Sequence, residues 1–176
     1  MLWNAYAEGK EPLFGFSIKS CGHIFAKKGR KICRPQGRED FLLFYVFKGS
    51  ETFHLQENVT AEEGSFILFR PHEVQDHICE WDKTAEFYYV HFMVDENVFP
   101  LGLESSVVYH SEPCSAVSAI FESLLSELQL KQTAYEQIAV GKLVELFGVL
   151  KRKTEKKTNL SKEHFGKIAG IVQHIH

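Results

Sequence analysis

The residues from Phe41 to Val94 leave this chain little choice of architecture. Phe41-Leu42-Leu43-Phe44-Tyr45-Val46-Phe47 is aromatic or branched aliphatic throughout, which suits a strand buried on both faces. Lys48-Gly49-Ser50 interrupts it, and Glu51-Thr52-Phe53-His54-Leu55 resumes as a shorter strand with polar residues interleaved. Gln56-Glu57-Asn58 and Glu63-Gly64 are further turns. The second leads into Ser65-Phe66-Ile67-Leu68-Phe69, which Pro71 ends because it has no donor for a ladder. Val74–Cys79 and Ala85–Val94 complete the set. Short strands separated by turns roughly every eight to twelve residues predict a small β-barrel or sandwich.

Upstream, Leu13–Ser20 and His23–Lys27 read as two strands, followed by a basic turn at Lys28-Gly29-Arg30. Cys21 and His23 sit two apart and share a strand face, but two residues do not make a metal site. Met1–Pro12 has mixed polarity and no period, the pattern of a surface arm. Val107–His110 reads as a last strand, after which the period changes. Val117, Ile120, Phe121, Leu124, Leu125 and Leu128 mark one helical face, with Ser111 and Pro113 as cap and first turn. Thr133-x-x-Glu136 reads as a capping box for a second helix, whose face is Tyr135, Ile138, Ala139, Leu143, Leu146, Phe147 and Leu150. The short Lys131-Gln132 link makes the two an antiparallel hairpin. Lys151–Asn159 lacks any apolar residue and reads as a solvated linker. Ser161 then caps another helix, with Leu160 stapling onto Phe165 and an apolar stripe that stops at His176.

Composition limits the function. At net charge −3 the domain is not an electrostatic attractor for nucleic acid. No apolar run approaches the length of a membrane span and no signal peptide opens the chain, so a cytoplasmic location is expected. Cys21, Cys33, Cys79 and Cys114 lack C-x-x-C spacing and are read as reduced thiols. Fifteen Phe against two Met suggest an aromatic interior, either densely packed or hollowed for a ligand.

Gly49, then Gly64-Ser65-Phe66-Ile67-Leu68-Phe69-Arg70-Pro71, then Tyr89-Val90-His91-Phe92 resemble, in order and spacing, the sensor domain of AraC-type transcription regulators. The resemblance runs from about Leu13 to the last residue. It implies a mainly β chain with a C-terminal α part: a cupin-like double-stranded β-barrel followed by an antiparallel helical hairpin. The implied division is a barrel with its arm over 1–110, a two-helix dimerisation element over 111–150 and a linker over 151–160. Residues 161–176 then resemble the first helix of the family's helix-turn-helix DNA-binding domain. An effector would sit in the barrel, a sugar or another small polar metabolite, with the arm, through Trp3 and Tyr6, able to fold across its mouth.

The resemblance also nominates residues. Arg34, in Arg34-Pro35 ahead of the Gly49 turn, matches an arginine that hydrogen-bonds the sugar in the arabinose regulator. A guanidinium suits adjacent hydroxyls or a carboxylate, because it is a fixed fork of donors that keeps its charge. Ser20 falls where the family places a small hydroxyl, and His77 where it often places a residue packing on the ligand. Phe87, Tyr89 and His91 alternate onto one face of their strand, and polar-tipped aromatics there need partners if buried. A homodimer is implied, with Ile120, Phe121, Leu124, Leu125, Leu128, Leu143, Leu146 and Phe147 as candidate seam residues. DNA contact would belong to the helix-turn-helix domain.

The alternative is a cupin enzyme, a metal-dependent oxygenase or sugar isomerase. Metal-binding cupins carry a histidine where this chain has Gln75, and a histidine pair on the preceding hairpin where it has only His54. No metal, cofactor or catalytic residue is therefore expected.

Overall fold

The computed structural model describes residues 2–7, 15–80, 84–95 and 103–172, with the side chains of Leu2, Trp3 and 156–172 outside the description. Its strands are β1 (Leu2–Tyr6), β2 (Phe16–Ala26), β3 (Lys31–Arg34), β4 (Phe41–His54), β5 (Asn58–Glu62), β6 (Phe66–Phe69), β7 (Gln75–Ile78), β8 (Ala85–Val94) and β9 (Val108–Tyr109). Two helices follow, α1 (Ser115–Leu130) and α2 (Tyr135–Val172).

The apolar run and the shorter strand after it form a single strand, β4, that serves two sheets. Its first half pairs with β6 and β8, in a sheet ordered β1-β2-β8-β4-β6-β9. Its second half pairs with β5 and β7, and β7 in turn with β3. The interruption at Lys48-Gly49 is a bulge rather than a turn: the register against β8 shifts between Val46 and Lys48. Gly49 has φ 74°, and a Cβ there would run into the Thr84 carbonyl, so the bend needs glycine. The extra residue turns β4 from one sheet into the other.

Strand alternation sorts the core into two clusters. Phe41, Leu43 and Tyr45 of β4, with Tyr88, Val90 and Phe92 of β8, face the helices. Leu42, Phe44 and Val46, with Phe87, face the space between the sheets. That space is filled at one end by aromatic rings: Phe44 lies 4.0 Å from Phe87 and 5.3 Å edge-on from Phe53.

Several expectations change. Leu2–Tyr6 is not a loose arm but an edge strand, paired to β2 from Leu2↔Ile24 to Tyr6↔Ser20. The two strands expected over 13–27 are one, β2, with an irregularity between Ile18 and Ser20; Leu13 lies outside the described residues. Helix α1 starts at Ser115 behind an extended Cys114 without a side-chain cap, while Ser111 bonds the neighbouring Glu112 carbonyl. The capping box at Thr133 does not form either. Ala134, at φ 67°, separates Thr133 from the helix, and Glu136 accepts the Tyr135 hydroxyl.

The helical hairpin itself is as expected, turned by Lys131 in the left-handed region. It packs on the outer face of the larger sheet. Phe121 stacks on Tyr88 at 5.2 Å, and Phe147 meets Phe92 edge-on at 5.3 Å. Helix α2 does not stop for a linker at Lys151 but continues to Val172. Lys, Arg and Glu are good helix formers, and neither Gly nor Pro occurs between Val149 and Phe165. No new helix begins at Ser161; the expected Leu160–Phe165 contact lies outside the described residues.

Candidate functional site

Between the two sheets, against the rings of Phe44 and Phe87, lies a cavity of about 280 Å³. Ser20, Arg34, His77, Phe87, Tyr89 and His91 all border it. The strands explain the convergence. β8 presents Phe87, Tyr89 and His91 by alternation, β2 pairs Ser20 with His91, and β3 and β7 place Arg34 and His77 on the opposing sheet. Asn4 and Tyr6 of β1 close one side.

The polar groups are tied to one another. His91 Nδ1 lies 2.9 Å from Asp40 Oδ1, and Arg38 grips the same carboxylate through Nε at 2.9 Å and Nη2 at 3.2 Å. Burial pushes the Asp40 carboxyl up, but the bonds from His91 and Arg38 outweigh it and hold the group at about 2. An ionised carboxylate only accepts, so the shared hydrogen belongs to His91 Nδ1. Tyr89 donates its hydroxyl to Asn4 Oδ1 at 2.6 Å, fastening β1 to the barrel. Burial, with Tyr6 and Cys21 nearby, pushes that phenol up to about 12, so it remains a donor at neutral pH. His77 shares a 2.7 Å hydrogen bond with Glu51, both almost wholly buried.

Arg34 donates from Nη1 to Gln75 Oε1 at 2.9 Å. Its pKa is lowered by burial, then by Arg38 and Arg30 beside it, against a smaller pull from Asp40 and Tyr89. Arg30, read from sequence as part of a turn, borders the same cavity, with its guanidinium 5.3 Å from the centre of the Phe87 ring. Sequence reasoning missed Arg30, Arg38, Asp40, Asn4 and Glu51. For Arg30 a signal existed: counting back by twos from Arg34 through Ile32 reaches it.

Among the described residues no three His, Cys, Asp or Glu side chains are grouped to hold a metal ion. Cys21 and His23 point to the helical side instead: Cys21 is in the core, its thiol pushed up by burial, and His23 stacks on Tyr88 at 4.2 Å. Gln75 is fully buried and receives Arg34; His54 bonds Asp76.

The eight residues nominated for a subunit seam are all at most 9% exposed within this one chain. They pack the hairpin onto the barrel and so have no surface left to offer a partner. Among the described residues, the large apolar side chains exposed on the hairpin are Leu130, Ile138 and Val144. A larger depression, about 730 Å³, lies where α2 crosses the connection into α1. There Lys153 Nζ donates to Ser111 Oγ at 3.0 Å and to the Glu112 carbonyl at 2.6 Å, so it is a helix–barrel seam.

Comparison with known proteins adds the family. The description "AraC-like ligand binding domain" matches residues 18–146. Solved structures with a similar course include the protein YhaK from Escherichia coli, 13% identical with a TM-score of 0.46, covering 62% of this chain and 49% of that one. A cupin protein from Bacteroides fragilis is 11% identical with a TM-score of 0.39, covering 54% and 75%. A predicted oxalate decarboxylase from Thermotoga maritima is 16% identical with a TM-score of 0.39, covering 44% and 68%. A search of curated proteins finds no match. Among the described residues no helix is long and apolar enough to cross a membrane.

Proposed function

The chain belongs to the AraC-like ligand-binding domain family, and from that premise we propose that it is the effector-sensing domain of a transcription regulator. The observation that carries this reading is the cavity: side chains from both sheets and from β1 meet around about 280 Å³ of space. A small polar metabolite, of which a sugar is one kind, fits walls that pair aromatic faces with Ser20, Tyr89, Asn4 and Arg34. Because Tyr89 and Asn4 hold β1 against that space, a ligand that bonds either group better in one arrangement of β1 shifts that arrangement's population.

The same proposal includes a homodimer. Its seam is not the eight buried residues but the bare stripe of α2 formed by Ile138, Gly141, Val144 and Gly148. Two glycines seven residues apart on an exposed helix face allow close approach of a second helix. DNA contact is assigned to a helix-turn-helix unit of the whole regulator, not to this domain with its charge of −3. Work on DNA places the protein in the cytoplasm, where its cysteines remain thiols.

The test is a thermal-shift screen of sugars and small acids on the purified chain and on Arg34→Ala. Binding to the folded state alone raises Tm by mass action. A metabolite that raises Tm of the wild type and not of Arg34→Ala is the expected result. A flat response across the panel would sink the sensing role.

A further inference from the structure

The cavity carries a charge pattern that no neutral ligand requires. Three guanidinia, of Arg30, Arg34 and Arg38, border it. Of the carboxylates near them, Asp40 is engaged by Arg38 and by His91. Glu51 is buried beneath His77 and hydrogen-bonded to that imidazole. Among the described residues Arg34 is hydrogen-bonded only to an amide: the oxygen on its Nη1 belongs to Gln75, which carries no charge. Arg30 is worse provided, since its Nη1 is buried without any hydrogen-bond partner. A buried cationic donor left unpaired is costly, and an anion from outside removes that cost.

The rest of the wall limits what that anion can be. Ile24, Ile32, Leu42 and Phe87 are apolar, so a bare inorganic ion would leave most of the space unfilled. Across from the arginines stand hydroxyl-binding groups, Ser20 and the Asn4–Tyr89 pair. Arginine's planar fork matches a carboxylate in two parallel hydrogen bonds.

We infer that the effector of this cavity is a small hydroxylated carboxylic acid, its carboxylate held by Arg34 and Arg30 and its hydroxyls facing Ser20, Asn4 and Tyr89. The inference rests on the sensing role proposed above and narrows its ligand class. A neutral sugar would leave Arg30 and Arg34 uncompensated.

The test compares each acid with its own amide, which keeps the shape and removes the charge. D-glucuronate against D-glucuronamide and D-gluconate against D-gluconamide cover sugar acids. Mandelate against mandelamide covers other hydroxy acids, and D-glucose 6-phosphate supplies a different anion. Binding is read by calorimetry and thermal shift on wild type, Arg30→Met, Arg34→Met and the remote control Lys142→Met. The expected result is at least one acid bound about tenfold or more tighter than its amide, with that preference lost in both arginine variants and kept in the control. Arg30→Met should also leave the unliganded Tm equal to or above the wild type, because it removes an unpaired buried donor. Amides that bind as well as acids would overturn the inference while leaving a sensor of neutral ligands standing. A response to the sugar phosphate alone would overturn the carboxylate. A drop in unliganded Tm for Arg30→Met with acid binding intact would assign Arg30 to the fold. Silence from every compound would remove the sensing role along with the ligand class.

Discussion

Tyr88 and Tyr89 are adjacent in β8, yet their hydroxyls are hydrogen-bonded on opposite sides of the sheet, to Glu122 of α1 at 3.1 Å and to Asn4 of β1 at 2.6 Å. Alternation along a strand makes this unavoidable. One strand therefore touches the cavity and its covering strand with one face and the helical hairpin with the other. A change at Asn4 has only the thickness of one sheet to cross before it meets α1.

Tyr89→Phe removes the hydroxyl and keeps the ring. The loss should be about 1 kcal/mol, the usual net worth of one such hydrogen bond. Because the bond fastens an edge strand, amide exchange should rise across Leu2–Tyr6 and stay unchanged in Ser115–Leu130, as read by mass spectrometry. Unchanged protection of β1 would mean the backbone ladder alone holds it.

Asp40 ties stability to pH. Its folded pKa of about 2 lies below the reference 3.8, so its contribution is fully present above pH 3.8 and is lost as pH falls through 2. The shift corresponds to something on the order of 2 kcal/mol. Asp40→Asn should be less stable than wild type by about that amount at pH 7, with the gap narrowing below pH 4. Urea midpoints at pH 7, 4 and 3 measure it; a gap independent of pH would show that packing, not charge, is lost.

These two residues also show what the sequence could and could not reveal. Phe87, Tyr89 and His91 were legible because alternation is local: one strand's own letters give the face. Asp40 was not: Arg38 is only two residues away, but His91 reaches the carboxylate only through the pairing of β4 with β8, from 51 residues along the chain. Asn4 was hidden because an edge strand borrows its order from its neighbour, and its own residues show no period. The helical stripes announced burial at most of their positions, but Ile138, read onto the covered face of α2, is exposed, and an apolar stripe says only that it is covered, not by what. Here the barrel covers it. Lys151–Asn159 misled for a related reason, because lack of apolar residues excludes a core and does not exclude a helix.

The two faces of the hairpin should therefore answer differently to mutation. Leu124→Ala opens a cavity in a site with no exposure and should cost about 2–5 kcal/mol by chemical denaturation. Val144→Lys, at 48% exposure, should change the unfolding free energy of the dilute chain by less than about 0.5 kcal/mol. In sedimentation the same variant should convert a dimer to a monomer. A dimer untouched by Val144→Lys would move the seam elsewhere.

Gly49→Ala probes the bend that sends β4 from one sheet to the other. The residue needs φ 74°, and the new methyl would collide with the Thr84 backbone. The loss should exceed about 1 kcal/mol, because strain and collision add. A thermal melt decides it, and a neutral result would mean that Thr84 yields easily.

Gly141 and Gly148 give the opposite case. Both lie in α2 and have nothing within 4 Å of where a Cβ would stand. Glycine inside a helix costs close to 1 kcal/mol against alanine through backbone entropy. Gly141→Ala and Gly148→Ala should therefore each stabilise the dilute, monomeric chain by up to about 1 kcal/mol. If a second copy packs its helix closely on this face, the added methyls hold the two backbones apart, so the same variants should weaken dimerisation while strengthening the fold. Denaturation at low concentration and sedimentation at high concentration separate the two effects. Stabilisation with the dimer intact would mean that the glycines are no part of the seam.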